Sequence, residues 1–155
     1  MHPNCVAVDA ILETNGCRGR VQLLPDAAPT AVAAAAQLGV DVGAIANSLV
    51  FATPDDEPVL VMTSGAHRVD TVKVAALLGV PALKRASAEL VHAATGQRIG
   101  GVAPVGHPAP LATFVDVTLA TYPEVWAAGG IPHAVFPTTY EELLRLTGGR
   151  PAEVA

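Results

Sequence analysis

Apolar positions along this chain fall in short runs divided by capping and turn residues, and the period of the runs alternates between helical and strand-like. "CVAVDAILET" has helical spacing, with Asn4 as the expected cap and Gly16 as the stop. "AVAAAAQL" follows a Thr30 cap and ends at Gly39, "TVKVAALL" runs from Asp70 to Gly79, and "AELVHAA" is bracketed by Ser87 and Gly96. A T-x-x-E capping box, Thr139 to Glu142, opens a last helix over "LLRLT" that Gly148 closes.

Between the helices, "RVQLLP" alternates as a strand, and "IANSLVFAT" with "EPVLVMT" reads as a hairpin across "PDDEP". "LATFVDVT" and "HAVFP" are two further strands, while "PEVWAA" reads as a turn of helix with Pro123 at its start. Irregular interspersion of this kind predicts one mixed α/β domain over residues 1–150, and not a regular βαβ array. The last residues, 151–155 of "GGRPAEVA", form a short tail expected to fray.

Composition sharpens the core. Of 155 residues 51% are apolar but only 4% aromatic, so the interior has to be built from Ala, Val and Leu. The apolar runs stop well short of the roughly 20 residues that cross a bilayer, and no basic start leads into an apolar run; a soluble cytoplasmic protein without membrane contact is expected. Cys5 and Cys17 are isolated and read as reduced packing residues. A net charge of -5 argues against a broad phosphate-binding face and against DNA binding, so any nucleic-acid contact should be small and local.

Several standard sites are missing. The chain has no GxxxxGK[ST], HExxH, GxSxG or GxGxxG, which lowers nucleotide hydrolysis, zinc proteolysis and serine hydrolysis together. His2, His67, His92, His107 and His133 are too scattered for a metal site, and no cofactor is expected. His92 reads as structural, His67 as a loop residue or a functional one, and His107 draws attention because it follows a glycine loop. Asp116, set among apolar residues, is either a base or a hydrogen-bonded strap for a neighbouring loop, since an unpaired buried carboxylate is costly. The loop itself, "IGGVAPVGHP" from Ile99 to Pro108, holds three glycines and two prolines. It is either a tight connection or a set of backbone N–H groups turned into one concavity, able to hold an oxyanion or a water.

The ordered segments "PTAVAAAAQLGVDVGAIANSLVF", "VLVMTSGAHRVDTVKVAALLG", "ATGQRIGGVAPVGHPAP", "FVDVTL" and "YPEVWAAGG" resemble the YbaK/EbsC family of freestanding aminoacyl-tRNA deacylases, relatives of the editing domain of bacterial prolyl-tRNA synthetase. The resemblance spans about Pro25 to Thr147 and implies a mixed, partly barrel-like sheet surrounded by helices. It also implies hydrolysis of the ester joining a small wrong amino acid to tRNA, with tRNA for proline as the first candidate. The family's G-x-x-x-P loop falls on Gly100, Gly101, Val102, Ala103 and Pro104, with catalysis by the backbone of Gly100, Gly101 and Val102 and by substrate hydroxyls. Thr30, Ser48, Pro104, Gly106, His107 and His133 are the implied substrate-binding set together with Asn47. The implied partner is the acceptor end of aminoacyl-tRNA, delivered by prolyl-tRNA synthetase or an elongation factor.

One position departs from the family. Members carry lysine in an I-x-K-S-L pattern where "IANSL" has Asn47. The loss of an ionic contact to phosphate is worth roughly 1.5–3 kcal/mol. Three readings follow: Asn47 hydrogen-bonds the ribose or phosphate in a working enzyme, another cation such as Arg98, Lys73 or Arg68 supplies the charge, or the protein has lost deacylation and retains only binding.

Overall fold

Strand pairing organises the chain, and the computed structural model describes all 155 residues. The elements in order are α1 (Pro3–Thr14), β1 (Gln22–Leu23), α2 (Ala31–Leu38), β2 (Ile45–Ala52), β3 (Pro58–Ser64), α3 (Thr71–Leu78) and β4 (Lys84–Arg85). Then come α4 (Ala88–Thr95), β5 (Ala112–Asp116), β6 (Val125–Ala128), β7 (Ala134–Thr138), α5 (Tyr140–Thr147) and β8 (Arg150–Ala152). The sheet runs β1-β7-β6-β2-β3-β5-β8, with β4 also on β2. β2 joins β3 and β4 antiparallel and β6 parallel, while β5 joins β3 and β8 parallel. The sheet is mixed as expected, and it is open: its two ends do not meet.

Both faces of the central strands are covered, which is why β2 and β3 read as nearly continuous apolar runs. Ala46, Val50, Leu60, Met62 and Val115 face a core completed by Val8 and Leu12 of α1, Val91 of α4 and Leu143 of α5. The alternate residues Phe51, Val59, Val61 and Phe114 face Val74 and Ala75 of α3. α2 packs Ala34 and Ala35 on Ile45, beside Trp126. The larger core contains one phenylalanine, Phe136, among aliphatic side chains, in keeping with the composition.

Most of the caps stand as expected. Thr30, Asp70, Ser87 and Thr139 each accept from a backbone N–H in the first turn of their helices, and Gly39, Gly79, Gly96 and Gly148 end them in the left-handed conformation. The first helix differs. Proline is pre-set for the first helical position and has no N–H to satisfy, so α1 starts at Pro3 and His2 Nδ1 accepts from the Asn4 N–H at 3.0 Å. The Asn4 side chain instead donates to Gly130 O.

Two further sequence expectations are corrected. "PEVWAA" contains no helical turn: Val125–Ala128 is a strand between β2 and β7. Four residues are too few for a helix to be favourable alone, and the ladder on both sides satisfies their backbone groups while sending Val125 and Ala127 into the core. The C-terminal residues are not frayed either. β8 pairs with β5, Val154 is fully buried, and its carbonyl accepts from Asp70 N–H at 2.7 Å.

Asp116 is 1% exposed and acts as the strap. Its carboxylate accepts from Ser64 N–H at 3.0 Å and Thr118 N–H at 2.9 Å, and lies 2.8 Å from His67 Nδ1. Ser64 in turn donates its hydroxyl to Gly43 O at 2.8 Å, so the end of β3 is tied to the turn before β2. No helix is long and apolar enough to cross a membrane. Deleting Arg150–Ala155 is expected to lower stability by at least about 2 kcal/mol, since burying a side chain such as Val154 is worth roughly 1.5–3 kcal/mol. Urea unfolding of the truncated chain reads this, and an unchanged midpoint would show β8 to be dispensable.

Candidate active site

β2 is paired along one whole edge and incompletely along the other. β3 accompanies it from Ala46 to Ala52, whereas on the far side β6 reaches only Ile45 and Ala46, and β4 only Phe51 and Ala52. Alternation of the antiparallel ladder turns the backbone of Asn47 and Leu49 toward β3 and that of Ser48 toward the uncovered side. A cavity of about 250 Å³ occupies this interval. α2 with Pro29 and Thr30 forms one wall, Trp126–Ala128 and Ile131 another, and Ile99–Val102 of the glycine loop a third. Its lining is mostly Ala, Val and Ile, without a carboxylate or a histidine.

Internal bonds shape the loop. Gln97 is 3% exposed; its Oε1 accepts from Ala103 N–H at 2.6 Å and its Nε2 donates to Val105 O at 3.2 Å. Thr95, at the end of α4, accepts from Gln97 N–H at 3.0 Å and so fixes the residue that holds the loop. His107 Nε2 donates to Ala103 O at 2.8 Å, which sets its tautomer. Gly101 N–H reaches Arg98 O at 3.3 Å, but the N–H groups of Gly100 and Val102 have no partner within the protein. Val102 is 5% exposed, so its free donor is an uncommon feature that an incoming acceptor would satisfy.

The glycines are required for different reasons. Gly100 has φ +97°, which only glycine adopts readily. A Cβ on Gly101 would come within 2.6 Å of Ile131 Cα and Pro132 N, so backbone contact fixes that position. Gly101→Ala therefore displaces the Ile131–Pro132 backbone as well as the loop.

The cavity gathers Thr30, Asn47, Ser48, Gly100, Gly101 and Val102. Thr30 caps α2 at its mouth, and Ser48 donates to Met62 Sδ at 3.2 Å. Asn47 lines the cavity and is half-buried with an amide that bonds to no protein group, and no buried side-chain polar atom lacks a partner, so the amide is accessible to solvent. Pro104, Gly106 and His107 lie apart, in a second depression against Ile11 and Thr147. His133 is exposed and lines neither; its carbonyl accepts from Leu24 N–H.

None of Arg98, Lys73 and Arg68 lines the cavity, and Lys73 donates to Ala155 O at 2.7 Å. The cation that does is Arg85 of β4. Gln97 and Arg85 are the two residues that reasoning from the sequence missed. A backbone-rich loop must have its carbonyls and N–H groups satisfied, and that requirement is the signal that could have found Gln97; nothing local marked Arg85.

Burial holds the His107 ring below the ordinary histidine value of 6.5, partly opposed by its bond to Ala103. A neutral ring favoured by the fold contributes stability that is complete above the unfolded value and is lost as pH falls from 6.5 through the lower folded value. Unfolding free energy should thus decline as pH drops below 6.5. His107→Gln should flatten that part of the profile, measured by urea melts at successive pH; a profile identical to wild type would remove this role.

Comparison with known proteins identifies relatives of the chain. The family model for the aminoacyl-tRNA editing domain matches residues 25–146. The uncharacterized protein YwhH of Bacillus subtilis (strain 168) is 31% identical over 110 residues, 71% of this chain and 69% of that protein. A proline–tRNA ligase of Nitratidesulfovibrio vulgaris (strain DP4) is 35% identical over 82 residues, 53% of this chain but only 14% of the ligase. The crystal structure of a candidate trans-editing enzyme for prolyl tRNA synthetase superposes with a TM-score of 0.91 at 44% identity, covering 99% of this chain and 98% of that one. With its open mixed sheet, its cavity beside β2 and its glycine loop, the chain belongs to the aminoacyl-tRNA editing domain family.

Proposed function

We propose that the protein is a trans-editing deacylase that hydrolyses the ester of a small mischarged amino acid on tRNA, with tRNA for proline as the carrier. One observation carries the reading: a small, mostly apolar cavity without a carboxylate or a histidine in its walls, beside two unpartnered backbone donors, Gly100 N–H and Val102 N–H. Such a site suits a reaction in which charge develops on a carbonyl oxygen and no protein side chain moves the proton.

In this mechanism the ester carbonyl lies against the loop. A water, oriented by a hydroxyl of the substrate, adds to the carbonyl carbon, and the resulting oxyanion takes hydrogen bonds from the loop N–H groups. The carbon–oxygen bond to the ribose then breaks, the ribose oxygen takes the proton that the water gives up, and the free amino acid leaves. Gln97 and His107 hold the loop in shape, so Pro104, Gly106 and His107 act on its geometry from the far side. Asn47 offers its open amide to the ribose or to the adjoining phosphate. His133 has no part in the site on this reading.

Ala31, Ala34, Ala127, Ala128 and Ala134 in the walls make the cavity a size filter. One methylene is worth about 1–3 kcal/mol there. The acceptor end is the only part of the tRNA that has to enter, which a chain of net charge -5 can accept, with prolyl-tRNA synthetase or an elongation factor delivering it in the cytoplasm.

Alanyl-, cysteinyl-, seryl- and threonyl-tRNA for proline, incubated with the wild-type protein and with Asn47→Lys, test this reading. Release of at least one amino acid by the wild type is expected. Activity only in the lysine variant would make the natural chain a binding protein that has lost turnover, and inactivity of both across the panel would end the deacylase reading. Replacing the Val102 amide by an ester, which deletes one N–H and keeps the side chain, should lower kcat by about a hundredfold or more. An unaltered kcat would exclude the backbone mechanism.

A further inference from the structure

We infer that Arg85 is an anion-binding residue of the cavity and takes a phosphodiester of the single-stranded acceptor end; the identity of that ligand rests on the deacylase reading above. Arg85 is the only charged side chain in the cavity walls. It has no carboxylate partner, whereas its neighbour Lys84 lies 3.7 Å from Asp56. Arg85 is exposed, and its guanidinium leans over the Phe51 ring with Cζ 5.7 Å from the centroid, inside the range of a cation–π contact. An unpaired cation positioned over an aromatic face is pre-organised, and its N–H donors are free for a planar or phosphate oxygen pair.

Its location supplies the class of ligand. Arg85 and Phe51 are directly opposite each other across β4 and β2, so their side chains share one face of the sheet, and Asn47 is on that face four residues earlier along β2. At about 3.4 Å per residue the two positions on β2 are roughly 14 Å apart. The loop donors sit toward the other end of the gap, where Gly101 touches Ile131 and Gly100 faces Pro29. The cavity therefore combines neutral loop donors, the Asn47 amide and one positive charge at the β4 end. A small acyl group joined to a sugar that carries a phosphate on its far side calls for this set of groups. With a net charge of -5 on the chain, one local cation also limits the contact to about one phosphate.

The test is calorimetric binding of the RNA trinucleotide CCA, of adenosine and of 5′-AMP to the full chain over a salt series. Wild type, Arg85→Ala, Arg85→Gln and Arg85→Lys are compared, with deacylation of the tRNA panel by the wild type followed in parallel. Arg85→Ala should weaken CCA binding about tenfold. It should also make the dependence of log K on log salt shallower by about 0.7, the share of one single-strand phosphate. Adenosine affinity should not move, Arg85→Lys should retain the salt slope, and Arg85→Gln, which keeps the stem over Phe51, should repeat the losses of the alanine variant if the latter folds poorly. Unchanged CCA affinity and slope in the folded Arg85→Ala or Arg85→Gln protein overturns the inference. So does a wild type that binds no CCA; 5′-AMP, which carries a phosphate at the same place on the same sugar, should share the dependence on Arg85, and its indifference to Arg85→Ala would likewise overturn the inference. Should the wild type bind CCA through Arg85 yet release no amino acid, the deacylase reading falls and the anion site stands.

Discussion

β2 cannot be paired along its whole second edge, because β6 meets it at one end and β4 at the other, with four residues between them. In most sheets an unpaired interval of this kind would be filled by a continuing strand or exposed to water. Here helix α2, the β6–β7 connection and the glycine loop close around it, so an edge that would otherwise invite another strand becomes the floor of a cavity. The proposed chemistry depends on that interval, since it leaves room beside Asn47 and Ser48 without any break in the β2–β3 ladder.

The loop that completes the cavity shows how backbone groups are kept available without destabilising the fold. Gln97 is buried with both amide atoms bonded to the loop, and Thr95 secures it to α4. A buried amide left unmatched would cost about 1–3 kcal/mol, so the clamp is stabilising only when all of its bonds form together. The remaining donors, on Gly100 and Val102, are unpartnered because the glycine conformation and the Ile131–Pro132 contact hold the loop where no protein acceptor can reach them. Rigid support of a few free dipoles is what electrostatic stabilisation of a developing charge requires.

Charge is used sparingly. The Asp116 carboxylate, the buried acid of the chain, is consumed in holding Ser64, Thr118 and His67, and does not reach the cavity. The second depression, with Pro104, Gly106 and His107, lies behind the loop, so the histidine acts through the Ala103 carbonyl and not on a ligand in the cavity. Arg85 is left as the single formal charge beside the cavity, and its unpaired state gives it a weight in binding that one surface arginine among many would not have.

Local chemistry made much of this legible from residues alone. Caps such as Thr30, Asp70 and Thr139, glycine stops, the β2–β3 hairpin and the small-residue core all rest on interactions within a few positions or on composition, and the family motifs located the loop. Tertiary structure decided whatever depends on a distant partner. "VWAA" becomes a strand because β2 and β7 flank it, and the tail becomes β8 because β5 presents an edge and Val154 finds the core. The same holds for the loop's division between two depressions, for Gln97 as its clamp, and for Arg85 as the cation at the cavity. Spacing along a chain specifies periodicity and turns, whereas which edge is left uncovered, and which charge stands beside it, is set by pairings between residues dozens of positions apart.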